Sequence, residues 1–77
     1  MKKISNSSPL PLTTREMQIL LYIADGTSSK VIARELCISI QTVNNHRKNM
    51  IKKMDVKNCT ELVRRFIQKV YEERNSY

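Results

Sequence analysis

Apolar residues recur along this chain at spacings of three and four, broken by short polar stretches, and the pattern predicts four helices. The first begins after Thr13. Thr13 and Glu16 have the spacing of a reciprocal cap, and Leu12 and Met17 that of a hydrophobic staple around it. Met17, Leu20, Leu21 and Ala24 form the expected buried stripe, widened by Ile19 and Ile23. Gly26 ends the helix, because glycine enters the left-handed region without a steric cost. A short second helix follows Ser28, with Ile32, Ala33 and Leu36 inward, and ends around Cys37. Ile38 plugs the turn and Ser39 caps a third helix that reaches Met54 without Gly or Pro. Residues 55–58 break the pattern. Asn58 and Glu61 then repeat the cap spacing, and a fourth helix runs roughly from Cys59 to Glu73.

The third helix is two-sided. At about 100° per residue, Val43, Met50, Met54 and the stem of Arg47 share one face. Gln41, Asn44, Asn45, Lys48 and Lys52 share the opposite face, and Thr42, His46, Asn49 and Lys53 line a flank. One side suits a core. The other offers amides and ammonium groups, which read base edges and bind phosphates in DNA. Two short helices joined by a turn of about three residues, the second amphipathic and basic, form a helix-turn-helix arrangement. The small Ala33 lets the two helices approach closely where they cross.

Length and composition narrow the class. A chain of 77 residues is one domain, and a core this small favours helical packing. A single Gly and two Pro argue against a turn-rich β fold. The expected fold is all-α, a compact four-helix helix-turn-helix domain over residues 12–73. Residues 1–11 read as a flexible tail or linker, because polar residues and two prolines disfavour regular structure there, and 74–77 as a frayed end. Fourteen Lys and Arg against seven Asp and Glu give a formal charge of +7, and the balance favours a polyanionic partner. No apolar run approaches the ~18 residues of a membrane span, and no signal peptide is evident. Cys37 and Cys59 do not make a disulfide framework, and their spacing with His46 fits no common zinc pattern, so neither metal nor cofactor is expected, and the setting is a reducing cytoplasm. His46 has no paired carboxylate or nucleophile, and there is no Gly-rich phosphate loop, so an enzyme is not expected.

Among the candidate site residues, Lys48 lies mid-face, where a long cation has no structural need. Asn44 and Asn45 are poor helix formers, and two of them in an exposed mid-helix position suggest base reading. His46 reads equally as a packed histidine or as a phosphate contact. Thr42 and the N-terminal N–H groups beside it suit a phosphate, as does Lys30 early in the second helix. Lys52, Lys53 and Lys57 make a basic end that also complements the helix dipole.

Leu12–Phe66, about seven tenths of the chain, resembles the LuxR-type (GerE-like) helix-turn-helix domain of bacterial transcription regulators. The resemblance is carried by LTTRE at Leu12–Glu16, IADG at Ile23–Gly26, SSKVIARELCIS at Ser28–Ser39 and TVNNHRKNMIKKMDV at Thr42–Val56, with KNCTELV at Lys57–Val63 extending it. It implies that the third helix (about 40–54) enters the DNA major groove and that the fourth forms a dimer contact. Residue by residue, it implies base reading by Asn44, Asn45 and Lys48, and backbone contacts by Lys30, Thr42, His46 and Lys52. Glu16 is implied to be structural. Three positions depart from the family pattern. Asn44 stands where many members carry Lys, Cys37 where a small or apolar residue such as Gly is common, and Cys59 where Arg is common. No receiver or ligand-sensing domain falls within the sequence, and its Ser- and Pro-containing start reads as the joint of a domain excised from a longer regulator.

In the fourth helix Leu62, Val63, Phe66, Ile67, Val70 and Tyr71 cover about half the circumference, wide for a surface helix. One edge is expected to meet the core. The other, drawn from Leu62, Phe66, Ile67 and Val70, is expected to meet a second copy. The leading expectation is sequence-specific binding of double-stranded DNA by a homodimeric transcription regulator, with RNA polymerase a further partner. The alternative is a protein-interaction module that uses the apolar edge of the fourth helix and leaves the basic face solvated.

Overall fold

The computed structural model describes residues 10–74, with side chains through residue 72. Four helices follow one another: α1 (Thr14–Ala24), α2 (Ser29–Leu36), α3 (Ile40–Met54) and α4 (Cys59–Arg74). No strand occurs among the described residues. α3 is central: it packs on α2, α1 and α4. The helices bound as their caps dictate. At α1 the Thr13 hydroxyl accepts from the Glu16 N–H at 3.1 Å, and Glu16 Oε1 accepts from the Thr13 N–H at 2.9 Å. Ser28 and Ser39 cap α2 and α3 in the same way, accepting from Val31 and Thr42. Asn58 Oδ1 accepts from the Glu61 N–H at 2.9 Å, but Glu61 reaches back to Lys57 rather than to the cap residue.

Three helices end alike. Gly26 sits at φ 85°, and the Thr27 and Gly26 N–H groups bond the carbonyls of Tyr22 and Ile23. The same pair of bonds closes α2 at Cys37 and Ile38, and α3 at Asp55 and Val56, with Cys37 at φ 58° and Asp55 at φ 56°. This is the Schellman ending, and residues with a Cβ bear a steric cost there that glycine does not.

The core joins Ile19, Leu20, Ile32, Ala33, Val43, Met50, Met54 and Leu62, and reaches back to Leu10. Leu10, which the expected tail includes, has a buried side chain, and its carbonyl holds the Leu12 N–H at 2.8 Å. Of the expected tail at 1–11 and frayed end at 74–77, residues 1–9 and 75–77 lie outside the described residues. Leu12, Met17 and Ile38 are half-buried against the core, as the staple and plug require.

The stripe of α1 differs from the expected one. Leu21 is 54% exposed and Ala24 is also exposed, while Glu16, Ile19 and Leu20 are buried and Ile23 is half-buried. The inward line is 16, 19, 20 and 23, one residue out of phase with the all-apolar line. A carboxylate occupies it because Lys53 Nζ donates to Glu16 Oε1 at 2.7 Å from α3. Leu62 also requires a correction. It was expected at a dimer edge but is fully buried within the protomer, so it offers no surface to a second copy. Phe66 is half-buried against the core, whereas Ile67 (56%) and Tyr71 (69%) face outward one turn apart.

Candidate nucleic-acid interface

The outer face of α3 is built by subtraction. Val43, Met50 and Met54 are drawn into the core, which fixes the helix rotation and turns Asn44, Asn45, Lys48 and Lys52 to solvent. The 15 residues of α3 include Arg47, Lys48, Lys52 and Lys53 but no acidic side chain. Asn45, Lys48 and Lys52 make no hydrogen bond or ion pair among the described residues, so their polar groups are available to a ligand. Lys30 is exposed in the first turn of α2.

Other polar residues of α3 are engaged or partly buried. The Thr42 hydroxyl pairs with that of Ser39 at 2.8 Å, and its N–H is taken by Ser39 Oγ at 3.0 Å. The expected anion site at this helix start is thus partly occupied by its own cap. His46 is half-buried, and its Nδ1 is buried with no hydrogen-bond partner among the described residues. Nε2 is then the ring nitrogen left for a polar contact. Lys53 serves Glu16, so only part of the basic end of α3 faces outward.

Two residues that sequence reasoning did not single out as functional hold this face in place. Arg47 Nη1 donates to Ser29 Oγ on α2, and Arg47 Nε donates to Cys59 Sγ at 3.3 Å on α4. Ser29 Oγ in turn donates to Asn44 Oδ1 at 3.3 Å. One signal was legible: a guanidinium whose stem lies on the inner face of an amphipathic helix must end on a partner. Its identity was not legible, because Ser29 lies 18 residues earlier. Cys59, in place of the family's common Arg, supplies a soft acceptor.

The electrostatics of Glu16 belong to the scaffold. Burial by itself pushes its carboxyl up. The Lys53 ammonium, together with the Thr13 N–H and hydroxyl, outweighs that and holds it below its ordinary value. Among the described residues no group of His, Cys, Asp and Glu is placed to hold a metal ion, and no helix is long and apolar enough to cross a membrane.

A capped helical pair with an acid-free, outward-facing second helix is the geometry that the family comparison meets. The profile of the family described as bacterial regulatory proteins, luxR family, matches residues 10–66. The chain belongs to that family. It is a luxR-family helix-turn-helix domain. The match begins at Leu10, where the core begins. Among curated relatives, the chain is 48% identical over 65 residues to the uncharacterized response regulatory protein YgeK of Escherichia coli, covering 82% of this chain and 44% of that protein. It is 43% identical over 63 residues to the transcriptional regulatory protein UhpA of Escherichia coli, covering 82% and 32%. It is 52% identical over 54 residues to the quorum-sensing regulator RhlR of Pseudomonas aeruginosa, covering 70% and 22%. The chain thus spans less than half the length of each of these luxR-type relatives.

Proposed function

We propose that this domain reads double-stranded DNA through α3 placed in the major groove, and that it does so as a homodimer within a cytoplasmic transcription regulator, with RNA polymerase the downstream partner and no catalytic step of its own. The observation that carries this reading is the outer face of α3, where Asn45, Lys48 and Lys52 stand exposed and unpaired among the described residues beside Asn44. Asn44, Asn45 and Lys48 take the base edges, since amides and ammonium groups complement the donor and acceptor pattern of the major groove. Lys30, Lys52, His46 and the Thr42 hydroxyl flank them and take the phosphates. Affinity then comes largely from counterion release and falls steeply with salt.

The dimer reading rests on α4. Ile67 and Tyr71 expose apolar surface one turn apart, next to the half-buried Val70 and Phe66. Solvent-facing apolar residues in a continuous line mark an interaction edge. Two copies joined there present two recognition helices to two half-sites.

The test is selection of bound sequences from a random duplex pool, followed by titration of the selected site with Lys48→Ala and Asn45→Ala. Both variants should bind the site more weakly while their helical circular dichroism stays that of the parent. Unchanged affinity in both would remove α3 as the reading face. A pool from which nothing is enriched at low salt, alongside saturable binding to a protein, would favour the protein-interaction module.

A further inference from the structure

We propose that Ser29 determines base specificity through Asn44, by holding the Asn44 carbonyl oxygen toward α2 so that Asn44 meets the groove as a hydrogen-bond donor. The proposal rests on α3 being the reading helix.

Hydrogen-bond directions carry the argument. A guanidinium can only donate, so the Ser29 oxygen accepts from Arg47 Nη1. The Ser29 hydroxyl hydrogen must then go to an acceptor, and Asn44 Oδ1 lies 3.3 Å away. A reversed Asn44 amide would bring another donor to an oxygen already receiving Arg47. It would also deprive the hydroxyl hydrogen of the acceptor that it has in the structure. Ser29 is free for this role because the neighbouring Ser28 caps α2 through the Val31 N–H. Arg47 is itself steadied by Cys59 Sγ on α4, so the arrangement has a rigid back.

The consequence is chemical. An asparagine pairs with adenine by accepting from N6 and donating to N7 along one edge of the amide. With Oδ1 engaged by Ser29, one of its two lone pairs is taken and the oxygen is drawn toward α2, away from N6. The N–H groups left outward match a carbonyl oxygen, which guanine presents as O6 and thymine as O4. At the base it faces, Asn44 therefore favours guanine or thymine over adenine, which still offers N7 but sets its N6 amine against the amide donor to donor.

The experiment selects bound duplexes from one random pool with the parent chain, Asn44→Ala, Ser29→Ala and Ser29→Thr in parallel. The half-site position that Asn44→Ala relaxes is the one compared. The parent and Ser29→Thr, which keeps the hydroxyl, should enrich guanine or thymine there. Ser29→Ala should shift that position toward adenine by about five- to tenfold, within the range for one base contact, and leave other positions unchanged. The comparison is a ratio within each selection, so a smaller folded fraction does not mimic it. Adenine enriched by the parent at that position, or Ser29→Ala retaining the parental preference or weakening all positions alike, would overturn the role of Ser29 while leaving α3 as the reader. No enrichment by the parent, or no position relaxed by Asn44→Ala, would overturn the assignment of Asn44 as a reader as well.

Discussion

The two polar sides of α3 use the same residue types to opposite ends. On the inner flank, Arg47 and Lys53 are held by Ser29, Cys59 and Glu16, partners on α2, α4 and α1. On the outer face, Lys48 and Lys52 have no partner among the described residues and stand in solvent. Lys52 and Lys53 are neighbours in the chain, yet one step of about 100° separates a scaffold cation from a presented one. A cation that meets a buried carboxylate helps to set where the helix sits. A cation that meets nothing is left with charge to offer a phosphate. Net charge alone does not distinguish them.

The largest expected effect is on the anchored side. Glu16→Ala removes the return bond of the α1 cap and the Lys53 contact together. It should lower unfolding stability by about 2–3 kcal/mol in urea titrations, with the preferred DNA sequence unchanged. A wild-type-like unfolding midpoint would break the distinction between the two sides. The same group makes a pH prediction. Its folded pKa is depressed from an ordinary 4.5, so its contribution is fully present above that value and drains as the pH falls through the lower folded pKa. Glu16→Gln should flatten the stability profile in that acidic window and leave its shape at neutral pH unaltered.

On the presented side, Lys48→Ala should weaken binding to a selected site by about ten- to a hundredfold. Its stability should stay within about 0.5 kcal/mol of the parent. Loss of both together would mean that Lys48 belongs with the anchored residues. Cys37→Gly probes the turn between α2 and α3. Relief of the left-handed residue should raise stability by about 0.5–1 kcal/mol, after allowance for the extra freedom of glycine in the unfolded chain. The shift is read by thermal unfolding under reducing conditions, with DNA preference as in the parent. The smallest effect is that of Lys52→Ala. It should lower affinity evenly across sequences and reduce the slope of log K against log salt by about 1, whereas Lys53→Ala should leave that slope nearer the parent's.

What could be read before the fold was known followed from range. Thr13, Ser39 and Asn58 were legible as caps because each acts on an N–H three residues away. The cationic outer face of α3 was legible because its rotation follows from Val43, Met50 and Met54 alone. The phase of α1 misled for an instructive reason. Its all-apolar line of 17, 20, 21 and 24 looks the better core stripe, but the structure buries the line that holds Glu16. That choice depends on a lysine 37 residues away. In α4 the apolar positions were all visible, but nothing local separated Leu62, which fills the core, from Ile67, which faces solvent.

The sequence by itself determined the four helices, their caps and stops, and the run of α3 that carries cations without acids. These rest on interactions within a turn or two of one chain segment, which composition and spacing encode directly. Only the tertiary structure decided that Glu16 is buried, that Lys53 is spent on it while Lys52 is not, and that Ser29 sits between Arg47 and Asn44. Each of these is a pairing across 15 to 37 residues. It exists because packing α3 against α1, α2 and α4 brings donors and acceptors together, and a buried polar group is stable only where such a partner arrives.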